Sequence, residues 1–362
     1  MKIQLLTSPE AISFSEVARV MKLSFDKYNY NVHIGNISHI YIPTMKFSPI
    51  SYGLWDLLII IHTFQNNIAE RFKLYGNPMY THKAFLYGVT EGKPILQEKW
   101  KDSLQNKVIT PSNFCKKHIE SIGVKVKTVI PHAIIHREFE TPPKITKHIK
   151  ETFKGHKILL YIGNGDPRKA IPQFIEALGQ LRKKRQDWVC IMHTDERIRK
   201  DGILGGKTPP IDKMVADNYL THHIIWSKTF FGQSFGEMTR ELIPALYHSC
   251  DLHILPSYCE GFGIPLIEAG ACHKTSIYID AEPMNEIVHE TCGYPVPYTH
   301  IEWTQDYPVI LYERHVWETQ TMTETIDYAL DDKNKTEKEE KNYQNSMRYD
   351  YQTVYRKFLE VE

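Results

Sequence analysis

The stretch DLHILPSYCEGFGIPLIEA, residues 251–269, decides how the rest of the sequence is interpreted. Its first seven residues are a short apolar run that ends in turn residues, which predicts a buried strand. The next residues leave this strand as a loop, and Pro265 suits the first turn of a helix that continues as LIEA. A strand, a glycine-bearing loop and a helix in this order are typical of a binding turn at the carboxyl end of a parallel strand.

Other short apolar runs repeat this strand–helix order along the chain. We predict strands at residues 2–6, 55–61, 83–89, 106–110, 126–131, 158–163, 188–193, 222–226, 251–257 and 275–280. Ser13 or Ser15 is a candidate helix cap, and Ser112 begins a helix that Gly123 closes. Because strands that alternate with helices form parallel sheets, we predict an α/β protein with two doubly wound, Rossmann-like domains facing across a cleft.

Composition sets the domain count and the class of protein. The chain has 362 residues, 42% of them hydrophobic, which suits two packed domains. A polar, basic and proline-containing stretch at 141–157 predicts the boundary, so we expect domains at 1–145 and 146–340, followed by a helix at 341–362. The formal net charge of +1 gives no reason to expect a nucleic acid partner.

Cysteine usage and hydropathy indicate the compartment. Six cysteines occur without a CxxC pair, which favours reduced thiols in a cytoplasmic protein. The apolar run LWDLLIII at 54–61 contains an Asp and is too short to span a membrane. The basic run LRKKRQ at 181–186 leaves peripheral membrane contact open, although a helix end with cations favoured by the helix dipole is the simpler interpretation.

Two carboxylates, Glu260 and Glu268, flank the glycine loop. Gly261 and Gly263 permit close approach of the backbone to a ligand, and the free N–H groups at the helix start favour an anion. Glu268 cannot bind that anion, but it can accept hydrogen bonds from the hydroxyl groups of a ribose. This spacing suits a nucleotide whose phosphates meet the glycines.

The segment GNGDPRKA, residues 163–170, supplies the positive charge that such a ligand needs. Arg168 can bind phosphate oxygens with two N–H groups, and Lys169 adds a compact charge after the turn at Gly165. The sequence contains no DxD pair of acids, so we expect no metal and no cofactor at the diphosphate.

These residues carry a family resemblance. The elements RKA at 168–170, PSYCEGFGIPLIEA at 256–269, PSNF at 111–114 and VIPHAI at 129–134 resemble the retaining glycosyltransferases of the GT-B fold, in the group numbered family 4. The resemblance covers the second half of the chain well and the first half loosely. The sequence departs from that pattern at Ala170, where the group usually has glycine, and at ACHKTS after the second Glu.

The resemblance implies roles for individual residues. Arg168 and Lys169 would bind the diphosphate of a UDP- or GDP-linked sugar, and Glu268 would bind the ribose. Glu260 would act catalytically beside the transferred sugar. Four further positions would line the donor: Gly261, Phe262, Gly263 and Ile264.

The resemblance also assigns the first domain to the acceptor, which is a saccharide, a lipid or a protein. It places acceptor or sugar contacts on the loops that carry His62 and Glu91, and it implies that the last helix returns to the first domain. The segments HTD at 193–195 and WSK at 226–228 follow second-domain strands and are candidate neighbours of the base.

The expected activity is therefore metal-independent hexosyl transfer with retention, in a cytoplasmic enzyme. Two alternatives stay open: a GT-B nucleotide-sugar epimerase or phosphorylase-like enzyme, and a catalytically silent GT-B module that binds nucleotide sugars or partner proteins.

Overall fold

The computed structural model describes residues 1–8, 11–37, 54–203, 208–233 and 239–362. The chain divides into two compact units. Unit 1 consists of Met1–Ile135, Trp303–Glu313 and Tyr349–Glu362, and unit 2 consists of His136–Glu302 and Arg314–Arg348. Each unit is built on a six-stranded parallel sheet. The predicted α/β fold with two doubly wound, Rossmann-like domains is confirmed.

The sheet of unit 1 has the strand order β2-β1-β3-β4-β6-β7. Its strands are β1 (Lys2–Thr7), β2 (Asn31–Asn36), β3 (Trp55–Thr63), β4 (Thr81–Val89), β6 (Val108–Thr110) and β7 (Val126–Val129). The apolar run of β3 is buried from Leu57 to Ile61, because β3 lies inside the sheet between β1 and β4. The helices of this unit are α1 (Ile12–Asp26), α2 (Asn66–Tyr75), α3 (Glu98–Leu104), α4 (Asn113–Glu120), α16 (Tyr351–Val354) and α17 (Lys357–Glu360).

The two predicted helix starts of unit 1 have different outcomes. Ser112 caps α4, because its hydroxyl accepts a hydrogen bond from the backbone N–H of Cys115 at 3.1 Å. The predicted cap of α1 at Ser13 or Ser15 is wrong. The helix begins at Ile12 with Ala11 as its N-cap residue, and the Ser15 hydroxyl donates to the carbonyl of Ser8.

A small antiparallel sheet joins a late part of the chain to unit 1. It has the order β14-β15-β5, where β5 is Gly92–Pro94, β14 is His300–Tyr307 and β15 is Ile310–Val316. Tyr312 pairs with Gly92, where a Cβ atom would lie 2.2 Å from the carbonyl oxygen of Leu311. Glycine is therefore required for this close approach.

The unit boundaries differ from those expected. Unit 2 begins at His136, and the stretch expected to be a linker contains the helix α6 (Ile145–Thr152). Residues Trp303–Glu313, expected in the second domain, group with unit 1. The returning segment begins at Tyr349, where the backbone of Ile134 bonds to Tyr349 and Tyr351.

The sheet of unit 2 has the strand order β10-β9-β8-β11-β12-β13. Its strands are β8 (Lys157–Ile162), β9 (Trp188–His193), β10 (Ile224–Trp226), β11 (Leu252–Leu255), β12 (Ser276–Ile279) and β13 (Tyr294–Val296). Its other helices are α5 (Arg137–Glu140), α7 (Ile171–Lys184), α8 (Arg197–Asp201), α9 (Ile211–Asp217), α10 (Lys228–Phe231), α11 (Ile243–Ser249), α12 (Ile264–Ala271), α13 (Met284–Ile287), α14 (Thr319–Asp331) and α15 (Lys335–Ser346). The paired central strands β8 and β11 lead directly into the two segments that carry the candidate donor residues.

Candidate active site

The turn after β8 positions the two basic residues. Pro167–Lys169 form one turn of 3-10 helix, which Asp166 caps by accepting a hydrogen bond from the backbone N–H of Arg168 at 3.1 Å. Ala170 ends this turn in the left-handed conformation at φ 54°. Glycine, which the resemblance implies at this position, adopts this conformation without the steric cost that alanine bears.

The turn is joined to the loop that follows β11. The carbonyl of Arg168 accepts a hydrogen bond from the N–H of Tyr258 at 2.8 Å, and its guanidinium donates to the carbonyl of Cys259 at 3.3 Å. These contacts bring Glu260 to both cations. Its carboxylate lies 2.8 Å from Arg168 Nη1 and 2.5 Å from Lys169 Nζ.

The charge state of this buried cluster is fixed by its partners. Burial would raise the pKa of Glu260, but Lys169 and Arg168 outweigh it and lower the pKa to about 2. Burial lowers the pKa of Lys169, and Arg168 acts in the same direction, whereas Glu260 opposes both. Glu260 is therefore an ionised carboxylate between two cations at neutral pH.

The glycine loop leads into α12 as the sequence predicts. Gly263 adopts φ 111° and precedes the helix, which begins at Ile264 with Pro265 in its first turn. The N-cap residue of this helix is Gly263, which has no side chain to cap it. Phe262 is buried, as are Gly261 and Gly263 on either side of it.

Glu268 is buried in α12 and held by two side chains that the sequence analysis missed. Tyr247 donates a hydrogen bond to Glu268 Oε2 at 2.7 Å, and Arg240 forms an ion pair with Oε1. The guanidinium of Arg240 also lies over the ring of Phe139, 5.3 Å from its centroid. Arg240 belongs to none of the motifs used in the sequence analysis, and Tyr247 has the pattern of an ordinary core residue of the helix α11.

Gly165 lies in the turn after β8, where Ile198 packs closely against it. A Cβ atom there would lie 2.2 Å from Cγ2 of Ile198 in α8. The absence of a side chain at Gly165 therefore allows α8 to pack against the turn.

The candidate neighbours of the base lie at the ends of two adjacent strands. His193 ends β9, and its Nδ1 lies 2.8 Å from the hydroxyl of Ser227, which follows β10. Burial lowers the pKa of His193 to about 4, so its imidazole is neutral at pH 7. Thr194 is buried next to it.

The two acceptor-side candidates lie at neighbouring strand ends in unit 1. His62 follows the apolar run of β3, and its Nδ1 lies 3.2 Å from the carbonyl of Thr63. Burial lowers the pKa of His62 despite that contact. Glu91 follows β4, and its carbonyl accepts a hydrogen bond from the N–H of Glu313 at 3.4 Å.

The described residues contain no group of three or more His, Cys, Asp or Glu side chains that could hold a metal ion. None of their helices is both long enough and apolar enough to cross a membrane.

Comparison with known proteins gives consistent matches. The family model described as "Glycosyl transferases group 1" matches residues 144–302. A curated relative, "Uncharacterized glycosyltransferase 335" of Sulfolobus islandicus rod-shaped virus 1, is 23% identical over 297 residues, which are 79% of this chain and 82% of that protein.

Solved structures resemble the chain over its full length. HepE of Anabaena in complex with UDP and glucose aligns with a TM-score of 0.72 and 14% identity, over 99% of this chain and 98% of that one. A glycosyltransferase from Rickettsia africae aligns with a TM-score of 0.73 and 16% identity, over 99% and 97% of the two chains. The chain therefore has the fold of the GT-B glycosyltransferases, and residues 144–302 of its second unit match the model of the glycosyl transferases group 1.

Proposed function

We propose that the chain is a retaining glycosyltransferase that moves a hexosyl group from a UDP- or GDP-linked donor to an acceptor hydroxyl without a metal ion. The observation that carries this proposal is the contact of Glu260 with both Arg168 and Lys169 at the end of β8. Two cations and one carboxylate beside the start of α12 suit a sugar diphosphate. The relatives named above support a nucleotide sugar, since HepE was solved with UDP and glucose.

The donor would occupy this cluster with its phosphates at Arg168, Lys169 and the start of α12. Both cations contact the Glu260 carboxylate. A bound diphosphate would share these cations, and the carboxylate would then face the adjacent sugar. Glu268 would accept hydrogen bonds from the ribose with the lone pairs that Arg240 and Tyr247 leave unused.

The reaction would exchange one bond at the anomeric carbon for another on the same face. The bond from this carbon to the diphosphate oxygen breaks while the acceptor oxygen bonds to the carbon. The acceptor proton passes to the departing diphosphate. The Glu260 carboxylate would stabilise the positive charge that develops on the sugar, and the cations would stabilise the leaving group.

Calorimetric titration with UDP and GDP, with and without EDTA, tests the donor site. We expect micromolar binding of one nucleotide, unaffected by EDTA, and binding about tenfold weaker in Glu268→Gln, because a charged hydrogen-bond acceptor is lost. Glu268→Gln keeps the side-chain shape at a buried position, and Glu337→Gln on the exposed face of α15 is the matched control. If neither nucleotide binds, the donor site as proposed is wrong.

Product analysis separates the alternatives. A transferase converts acceptor only when a nucleotide sugar is present, whereas an epimerase changes the nucleotide sugar without any acceptor. A silent module would bind the nucleotide sugar and leave it intact with every acceptor.

A further inference from the structure

The strand β14 presents an exposed row of side chains in unit 1. Trp303 is 46% exposed and Tyr307 is 39% exposed. Gln305 lies between them and is also exposed. Alternate residues of a strand share one face, so these three side chains form one row, with Trp303 and Tyr307 about 13 Å apart along the strand. We call this row the β14 strip.

The described residues include all six tryptophans of the chain, and Trp303 has the most exposed side chain of the six. Trp55, Trp188 and Trp317 are buried, as is usual for so large an apolar side chain. An indole that stays partly in solvent loses burial energy that packing would otherwise supply. Exposed Trp and Tyr side chains are enriched at binding surfaces.

The Trp303 end of the strip contacts a buried pair of side chains, His118 and Glu313, through the His118 ring. The ring of His118 lies 6.0 Å from that of Trp303 at 72°, and it also contacts Phe114 at 4.3 Å. His118 Nε2 lies 3.2 Å from Glu313 Oε2, with both side chains less than a tenth exposed. These contacts hold the indole in place before any ligand arrives, which reduces the entropy lost on binding.

The surrounding charges select the ligand class. Glu313 pairs with His118, whose ring contacts the indole, and its backbone N–H bonds to the carbonyl of Glu91, which places a second acidic residue next to this region. Carboxylates disfavour phosphates and acidic lipid headgroups. Aromatic faces and an amide instead suit an uncharged ligand that has both C–H faces and hydroxyl groups, namely a saccharide.

We propose that the β14 strip binds an oligosaccharide, which is the acceptor of the transfer, with sugar rings against Trp303 and Tyr307 and hydroxyl groups on Gln305. The assignment of this oligosaccharide as the acceptor rests on the proposed function, whereas its binding to the strip does not depend on catalysis. It selects the saccharide from the acceptor classes that the sequence left open.

The test is binding without a nucleotide. A panel of neutral oligosaccharides that end in glucose, galactose, mannose or N-acetylglucosamine is titrated by calorimetry and by tryptophan fluorescence. We expect at least one to bind and to change the emission. In Trp303→Phe that oligosaccharide still binds but the emission stays constant, whereas Trp303→Ala weakens binding about tenfold or more.

The controls separate the strip from the donor site. Tyr328→Ala removes an aromatic side chain in α14 that is 62% exposed, and it should leave oligosaccharide binding unchanged. UDP and GDP binding to Trp303→Ala should match the unmodified protein. Absence of oligosaccharide binding, unchanged affinity in Trp303→Ala, or binding only to vesicles of phosphatidylcholine and phosphatidylglycerol would overturn the saccharide assignment. If neither UDP nor GDP binds to the unmodified protein, the proposed function is contradicted, but the binding of the oligosaccharide to the strip is not.

Discussion

The ion pairs of Glu260 determine how the site responds to acid. The folded protein keeps this carboxylate ionised down to about pH 2, because Lys169 and Arg168 overcome the effect of burial on its pKa. In the unfolded chain the carboxyl group takes up a proton near its ordinary pKa of 4.5. Its contribution to stability is therefore fully present above about pH 4.5 and is lost as the pH falls toward 2.

Glu260→Gln should remove this pH dependence. The difference between the free energies of unfolding of the unmodified protein and the variant should be largest above pH 4.5 and should decrease by about 3 kcal/mol toward pH 2. Urea unfolding at several pH values measures it. Glu98→Gln, at an exposed glutamate of α3, is the control and should show a constant difference. A constant difference for Glu260→Gln would mean that the carboxylate is not held by the two cations.

The Tyr247 hydroxyl fixes one oxygen of Glu268, so its removal should affect donor recognition. We expect Tyr247→Phe to raise the donor KM about tenfold with little change in kcat, because a hydrogen bond to a charged group contributes about 1.5 kcal/mol or more. Steady-state kinetics with varied donor measures the effect.

The control for this variant is Tyr355→Phe in unit 1. It removes a buried hydroxyl that accepts a hydrogen bond from the N–H of Ala133 at 3.1 Å. It should lower stability and leave the donor KM unchanged. Equal KM values for Tyr247→Phe and the unmodified protein would show that Tyr247 only supports the fold.

At the scale of single elements, β5 depends on one glycine. A Cβ atom at Gly92 would lie 2.2 Å from the Leu311 carbonyl oxygen and 2.8 Å from the Glu313 nitrogen. Because both are backbone atoms, they cannot move aside as a flexible side chain would. The contact between β5 and the hairpin formed by β14 and β15 therefore tolerates no side chain at position 92.

Gly92→Ala should separate β15 from β5 and cost about 1–3 kcal/mol of stability. Hydrogen exchange of Ile310–Val316 should become faster, while exchange in β8 and β9 stays slow. Lys93→Ala, at the exposed middle residue of the same strand, is the control and should leave the exchange unchanged. Slow exchange of β15 in Gly92→Ala would mean that the pairing does not hold the hairpin.

The elements that the sequence predicted share a local signal. The buried apolar runs of β3, β8 and β9 are long enough to identify on their own. The start of α12 was also predictable, because glycine and proline have fixed backbone preferences there. The strand β14 was missed because its apolar residues are interrupted by polar ones and form no continuous run. Its partner β15 pairs in turn with β5, which lies about 200 residues away in sequence.

The candidate site was predictable to a different degree for each residue. Arg168, Lys169 and Glu260 belong to motifs, and the structure brings their side chains together. Arg240 lies outside any motif, because its contact with Glu268 depends on the packing of elements far apart in sequence. Local patterns identify chemical groups, whereas tertiary packing determines which groups pair.

On the scale of the whole molecule, unit 1 is assembled from three separate parts of the chain. The last part, Tyr349–Glu362, is anchored by buried side chains. The ring of Phe358 is fully buried and lies 5.1 Å from that of Tyr87 in β4. The hydroxyl of Ser24 donates to the carbonyl of Tyr351 at 3.0 Å. This segment is therefore part of the core of unit 1.

Phe358→Ala should destabilise unit 1 by about 3–5 kcal/mol, the usual cost of an aromatic cavity in a core. Hydrogen exchange should accelerate in β4 and β6 and stay unchanged in β11 and β12 of unit 2. Lys357→Ala, at an exposed position of the same helix, is the control. Equal acceleration in both units would contradict separate cores.

The three-part composition of unit 1 has a consequence for biosynthesis. A ribosome adds about 5–20 residues per second, so many seconds separate the first 135 residues from Trp303–Glu313. Meanwhile β5 has no hairpin to pair with, and Tyr87 has no Phe358 to pack against. Unit 2 lacks only Arg314–Arg348 by that time. The unit whose translation begins first is therefore the last to complete its core, and a nascent chain that stalls after residue 300 would expose an unfinished unit 1 to chaperones and proteases.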